Sequence, residues 1–284
     1  MCRRSAALFV AVLAGPGGLA AQADPATLRY AAPQLQCAQF LETSLTTIVT
    51  HTSRRNREQT VERRGVWQFR AKAENSGVTL TGWLDSLVLL RRSPETTIRP
   101  DTDGLIGGRY RGVLRPGGMY LARVQPFVPG EVGEVSDMAS ALDDFFPELP
   151  TAPLHPGEVW ADTSGLRIRR LADSALSGVP LYRYALETTR KTRSVPVKYD
   201  TVPLVINQIS RERGTFVWHP TLGLVSRDRT IVVETSVPAS RTVPEPVRAR
   251  VEQHISVHRD LRVPVNRCGE SGAASQTGKG ASDG

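Results

Sequence analysis

Residues 248–263, RARVEQHISVHRDLRV, alternate apolar and polar side chains over most of their length, which is the strongest constraint on the fold. Ala249, Val251, Ile255, Val257, Leu261 and Val263 fall on one side, and Arg250, Glu252, His254, Ser256, His258, Asp260 and Arg262 on the other. A period of two belongs to a strand with one face on a core and one in water. At roughly 3.3 Å per residue the run approaches about 50 Å, well beyond an ordinary strand, so the sheet has to twist and bend.

The same period recurs along the chain. Trp67, Phe69, Ala71 and Ala73 alternate with Gln68, Arg70, Lys72 and Glu74, and Asn75-Ser76-Gly77 supplies a turn. Pro116-Gly117-Gly118 reverses the chain between Tyr110–Arg115 and Met119–Val124, and His219–Gly223 marks a third hairpin. A helix is expected over 136–146: Ser136 caps it, Asp137 sits in its first turn, Met138, Leu142 and Phe145 or Phe146 share a stripe, and Pro147 stops it. The fold class expected is mainly β, with long, curved antiparallel sheet or sheets built from hairpins and one short amphipathic helix.

Between the helix and the later strands lies LPTAPLHPGEVWADT, residues 149–163. Its prolines hold the chain extended with few donors to satisfy, Gly157 permits a turn, and Trp160 opens a new strand. The expected organisation is a signal peptide over 1–23, a β-rich half over 24–147, a proline-rich bridge over 148–158, a second β-rich half over 159–268 and a disordered tail over 269–284. The pattern Leu149-Pro150, Pro153-Leu154, Gly157-Glu158 and Trp160 resembles the midpoint segment of a family of uncharacterised secreted β-rich bacterial proteins with a domain of unknown function. That resemblance implies a signal peptide and hairpins on both sides of the bridge, and brings no catalytic residues with it. Long curved sheets with one covering helix are also similar in architecture to the periplasmic lipoprotein-carrier fold, which holds acyl chains between sheet and helix; fold does not fix function.

The N-terminus carries Arg3 and Arg4, an apolar stretch from Ala6 to Ala14 and small residues up to Ala21 and Ala23, the order of a secretory signal. Export to a periplasm or the extracellular space is therefore expected. Of the three cysteines, Cys2 leaves with the signal, and Cys37 and Cys268 remain as an even pair in an oxidising compartment, which reads as a disulfide joining the two ends of the mature domain. No apolar run is long enough for a transmembrane helix. The formal charge of +8 comes from arginines scattered in short pairs and is not gathered with aromatics into a stripe, so no specific nucleic acid is expected.

Linear motifs for chemistry are absent or out of register. GAASQTGKGAS lacks the spacing and the hydroxyl of a phosphate loop, and GESGA at Gly269 lacks the last glycine of a nucleophile elbow. On a strand, His254 and His258 stand about 13 Å apart, too far to share one metal. Asp101 and Asp103 have no later glutamate in register for calcium, and Asp143 and Asp144 diverge as neighbours. Neither metal nor cofactor is expected. The function expected is non-catalytic binding of a lipid or other hydrophobic or amphipathic small molecule on a concave sheet, lined by Trp67, Phe69, Trp83, Met138, Leu142 and Phe145. The alternatives are a structural or protein-interaction module that binds an envelope protein and, third, a hydrolase with no recognisable linear motif.

Overall fold

A computed structural model of the chain describes residues 27–199, 202–239 and 243–262. The signal segment, the tail and Cys268 lie outside the described residues. The elements in chain order are α1 (Ala32–Leu35), β1 (Gln39–His51), β2 (Asn56–Glu74), β3 (Gly77–Arg92), β4 (Thr97–Ile98), β5 (Tyr110–Leu114), β6 (Tyr120–Val124), α2 (Gly130–Val135), β7 (Val159–Ala161), β8 (Arg167–Arg170), β9 (Ser174–Leu176), β10 (Val179–Tyr199), β11 (Val202–His219), β12 (Gly223–Val237) and β13 (Val247–Arg259).

Period-two alternation forms strands along most of its length, although the last one ends at Arg259 and leaves Leu261 exposed in a turn. β2 runs for 19 residues, β10 for 21 and β11 for 18. The expected hairpin turns join β2 to β3, β5 to β6 and β11 to β12. Register shifts at Val66/Trp67, Thr192/Val195 and Val217/Trp218 insert the extra residues that bend such long strands.

All strands enter one antiparallel sheet of 13 strands, in the order β6-β5-β3-β2-β1-β13-β12-β11-β10-β8-β7, with β4 on β3 and β9 on β10. The last strand returns to lie between β1 and β12, so the segments on either side of the proline bridge are halves of one sheet. They also share one core cluster, to which Phe40, Trp67 and Phe69 contribute from one half and Tyr184, Phe216 and Trp218 from the other. The β13 backbone continues at Asp260, whose N–H donates to Gln39 O at 2.9 Å. The chain therefore leaves β13 two residues from Cys37.

The expected helix over 136–146 does not form. Residues 139–145 are successive tight turns, with Asp143 N–H donating to Ser140 O at 2.9 Å and Phe145 N–H to Leu142 O at 3.2 Å. The physical reason is attachment to the sheet. Tyr110 OH donates to Met138 O at 2.8 Å, an acceptor of the first helical turn, and the Arg227 guanidinium holds the carbonyls of Asp144 and Phe145, so the segment is fastened to the sheet at both ends. Asp137, rather than Ser136, caps the segment through the backbone of Ala139 and the hydroxyl of Ser140. The apolar stripe survives the change: Met138, Leu142, Phe145 and Phe146 are all buried against the sheet.

These turns belong to a cover made of residues 99–109 and 125–158, before and after the β5–β6 hairpin, that lies on one face of the sheet, here termed the inner face. Gly82 on β3 makes room for it, since a Cβ there would stand 2.8 Å from the Phe69 ring and 3.0 Å from Leu142. The bridge closes the cover. Leu149 and Leu154 are buried, Tyr30 OH donates to Pro147 O at 3.2 Å, and buried Arg170 donates to Leu154 O. Carbonyls that prolines leave without a sheet partner are thus satisfied by side chains.

Candidate functional site

The inner face has two zones, and the pairing register defines both. Beneath the cover, Phe40, Trp67, Phe69, Phe145 and Phe146 pack edge to face or tilted, except Trp67 and Phe69, which stack at 13°, with ring centroids 5.0–6.2 Å apart. This zone is filled. Trp67, Phe69, Met138, Leu142 and Phe145 are each 3% exposed or less, and none of them lines a cavity in the described residues. The five residues are therefore core in this structure, a correction to their expected place as open lining. Trp83 is corrected differently: it pairs with Gln68 and so lies on the outer face, opposite to Trp67 and Phe69, under the Arg109 guanidinium at 3.9 Å from the ring centroid. Arg109 is lowered from its ordinary pKa by burial and by Arg70 and Arg111.

Beyond the cover the same face continues without it. Ile48 on β1 pairs with Val251, Val251 with Val233, Val233 with Ser210 and Ser210 with Arg190. One row nearer the core, Thr46, Gln253, Ile231, Glu212 and Thr188 stand side by side. Ile48, Val251, Val233 and Ile231 are half-buried. Together they form an apolar stripe that leaves the core and ends at polar residues of β10 and β11.

At that end lies a cavity of about 190 Å³ between sheet and cover. Thr188, Arg190, Ser210, Glu212 and Arg227 line its sheet wall, with Ile231 at its junction to the stripe. Asp143, Asp144 and Glu148 of the cover line its other wall, together with Tyr120 at the start of β6. Tyr120 and Arg227 are 7% and 5% exposed, yet Tyr120 Oη, Thr188 Oγ1 and Arg227 Nε have no hydrogen-bond partner among the described residues. Arg227 is anchored by its other nitrogens, one donating to Glu212 Oε1 at 2.9 Å. Burial lowers its pKa to about 10, with Arg229 adding to the shift, and it stays cationic at neutral pH. Burial pushes the Tyr120 phenol up to about 12, helped by the charge of Asp143, so it remains a donor. Asp143 is itself raised by burial and by the carboxylates of Asp144 and Asp137.

Two larger hollows, about 580 and 480 Å³, lie on the outer face. Many of the charges in and beside the larger one are matched in pairs: Arg167 with Glu187 at 3.2 Å, and Arg211 and Arg250 with Glu234 at 2.9 and 3.1 Å. His254 and His258 are on this face, held by Glu252 at 3.2 Å and Asp228 at 3.8 Å respectively. No group of His, Cys, Asp and Glu among the described residues could hold a metal ion. Asp101 accepts from Asp103 N–H at 2.9 Å, an ordinary turn.

The stripe was not legible in the sequence because Ile231-Val232-Val233 is apolar without a break, so no face stands out. Tyr120 and Thr188 are ordinary strand residues whose significance lies only in being buried without partners.

No family model matches the chain, and no curated protein matches it. Among solved structures, the chain is similar to one titled "Lipid-protein interactions in lipovitellin", with 8% identity and a TM-score of 0.42 over 80% of this chain. The chain spans 25% of that lipovitellin chain. No helix among the described residues is long and apolar enough to cross a membrane.

Proposed function

We propose that the protein is exported and non-catalytic, and that it holds a hydrophobic or amphipathic ligand on the inner face of its sheet, beyond the cover. The observation that carries this reading is the stripe of Ile48, Val251, Val233 and Ile231, half-buried and continuous with the core, which ends in a polar cavity. An apolar strip with a polar terminus is complementary to an amphiphile: the tail covers the valines and the head replaces water in the cavity. Export is supported by the signal-like N-terminus, and β13 is followed by Asp260, whose N–H donates to Gln39 O, two residues from Cys37. Intact mass of the secreted, non-reduced protein should be lower by two hydrogens than that of the reduced one.

Binding is tested by titrating the purified protein with dansyl-undecanoic acid and following the dansyl emission. Saturable binding is expected, about tenfold weaker in Val233→Glu, where a carboxylate would stand in the middle of the stripe. Unchanged affinity in that variant, or no binding by the wild type, would sink the reading.

A second reading, a module that binds an envelope protein, is favoured by one observation. Edge strand β6 presents Leu121 and Val124 to solvent at 40% and 51% exposure, an edge open to strand addition. A stoichiometric complex dissolved by Leu121→Lys would support it.

A further inference from the structure

We propose that the cavity at the end of the stripe seats a zwitterionic head, a phosphate joined to an ammonium, of the amphiphile whose tail lies on Ile231 and Val233. The inference rests on the reading above and specifies its ligand. At about 190 Å³ the cavity is smaller than the roughly 300–1,000 Å³ that encloses a drug-sized molecule, so it takes a head and not a whole lipid.

The two walls differ in chemistry. The sheet wall offers donors, the unpartnered Arg227 Nε–H, the Arg190 guanidinium and the hydroxyls of Thr188 and Ser210, and the Glu212 carboxylate on the same wall is already engaged by the Arg227 guanidinium at 2.9 Å. Such a set suits phosphate oxygens, which only accept. The cover wall offers the carboxylates of Asp143, Asp144 and Glu148, which suit an ammonium with its three donors. The buried Tyr120 hydroxyl of β6, also unpartnered, lines the cavity beside these carboxylates and is able to donate to the phosphate. Neither sign alone satisfies the cavity. An anionic head would meet three carboxylates, and a cationic head would leave the buried Arg227 and Tyr120 donors without an acceptor.

The test is isothermal titration of the full-length secreted protein with three soluble amphiphiles: dihexanoyl-phosphatidylethanolamine, dihexanoyl-phosphatidylglycerol and dodecyltrimethylammonium. The zwitterion is expected to bind about tenfold more tightly than either single-charge probe. Tyr120→Phe with Thr188→Val, and separately Asp143→Asn with Glu148→Gln, should each erase most of that preference. These changes remove a hydroxyl or a charge at nearly constant shape, and far-ultraviolet dichroism checks that the fold persists. Equal affinity for all three probes, insensitive to the cavity variants but lost in Val233→Glu, would overturn the head site and leave the amphiphile reading standing. A preference for the anionic or the cationic probe also overturns it. Absence of binding by every probe overturns both.

Discussion

Trp67 donates its indole N–H to Glu42 Oε2 at 2.8 Å within the aromatic core, and the other oxygen of the same carboxylate is paired with Arg63. Glu42 and Arg63 face each other beneath the cover, with side-chain exposures of 3% and 10%. A buried ion pair adds little net stability, but removing one partner strands the other. Glu42→Gln is therefore expected to cost about 3–5 kcal/mol in urea unfolding, and Glu42→Leu with Arg63→Met to recover most of it. Recovery would separate the cost of a stranded charge from loss of packing.

Four tyrosines make the fold sensitive to alkali. Burial raises Tyr120 and Tyr184 to about 12 and moves Tyr30 and Tyr110 in the same direction. Above the ordinary value of 10.0 the unfolded chain has released these protons while the native state still binds them. Stability then falls as pH rises from about 10 to about 12, and is unaffected by these groups at lower pH. The urea midpoint should decline across that window, less steeply in Tyr184→Phe, and phenolate absorbance should appear together with unfolding.

Trp83 separates the two faces experimentally. Its ring holds Arg109 at 3.9 Å and Arg70 at 5.7 Å, both away from the stripe. A double-mutant cycle of Trp83→Leu and Arg109→Gln should give a coupling of about 0.5–2 kcal/mol. Affinity for dansyl-undecanoic acid should not change in either variant.

Gly118 ties the cover to the β5–β6 hairpin. Its φ of +101° lies in the region that favours glycine, and a Cβ there would collide with the carbonyl oxygen of Pro147. Gly118→Ala is expected to destabilise by at least about 1–3 kcal/mol, whereas Gly117→Ala, which meets no atom within 4 Å, should be close to neutral. Thermal unfolding of the two variants side by side checks this.

The strands were legible because alternation is written locally. Ile255 and Val257 are buried on one side of β13, and His254 and His258 are exposed on the other, as period two requires. The segment 136–146 misled for an equally definite reason. Its apolar spacing is that of a helix and its side chains are buried, but its backbone is fastened to the sheet through Tyr110 and Arg227, which come from distant strands. Trp83 follows the alternation of its own strand: Val78, Leu80 and Leu84 face the core, so Trp83, one residue before Leu84 and paired with Gln68, faces the other way.

By itself, then, the sequence determined that this chain forms long antiparallel ribbons, where three of the hairpins turn, and that a stiff proline segment interrupts them, because alternation, turn residues and fixed proline φ angles act over a few neighbouring residues. Only the tertiary structure decided that β13 closes the two halves into one sheet, that the expected lining is packed solid, and that the open part of the inner face begins where the cover stops. Those outcomes depend on register and burial between residues up to about two hundred positions apart, which no local pattern encodes.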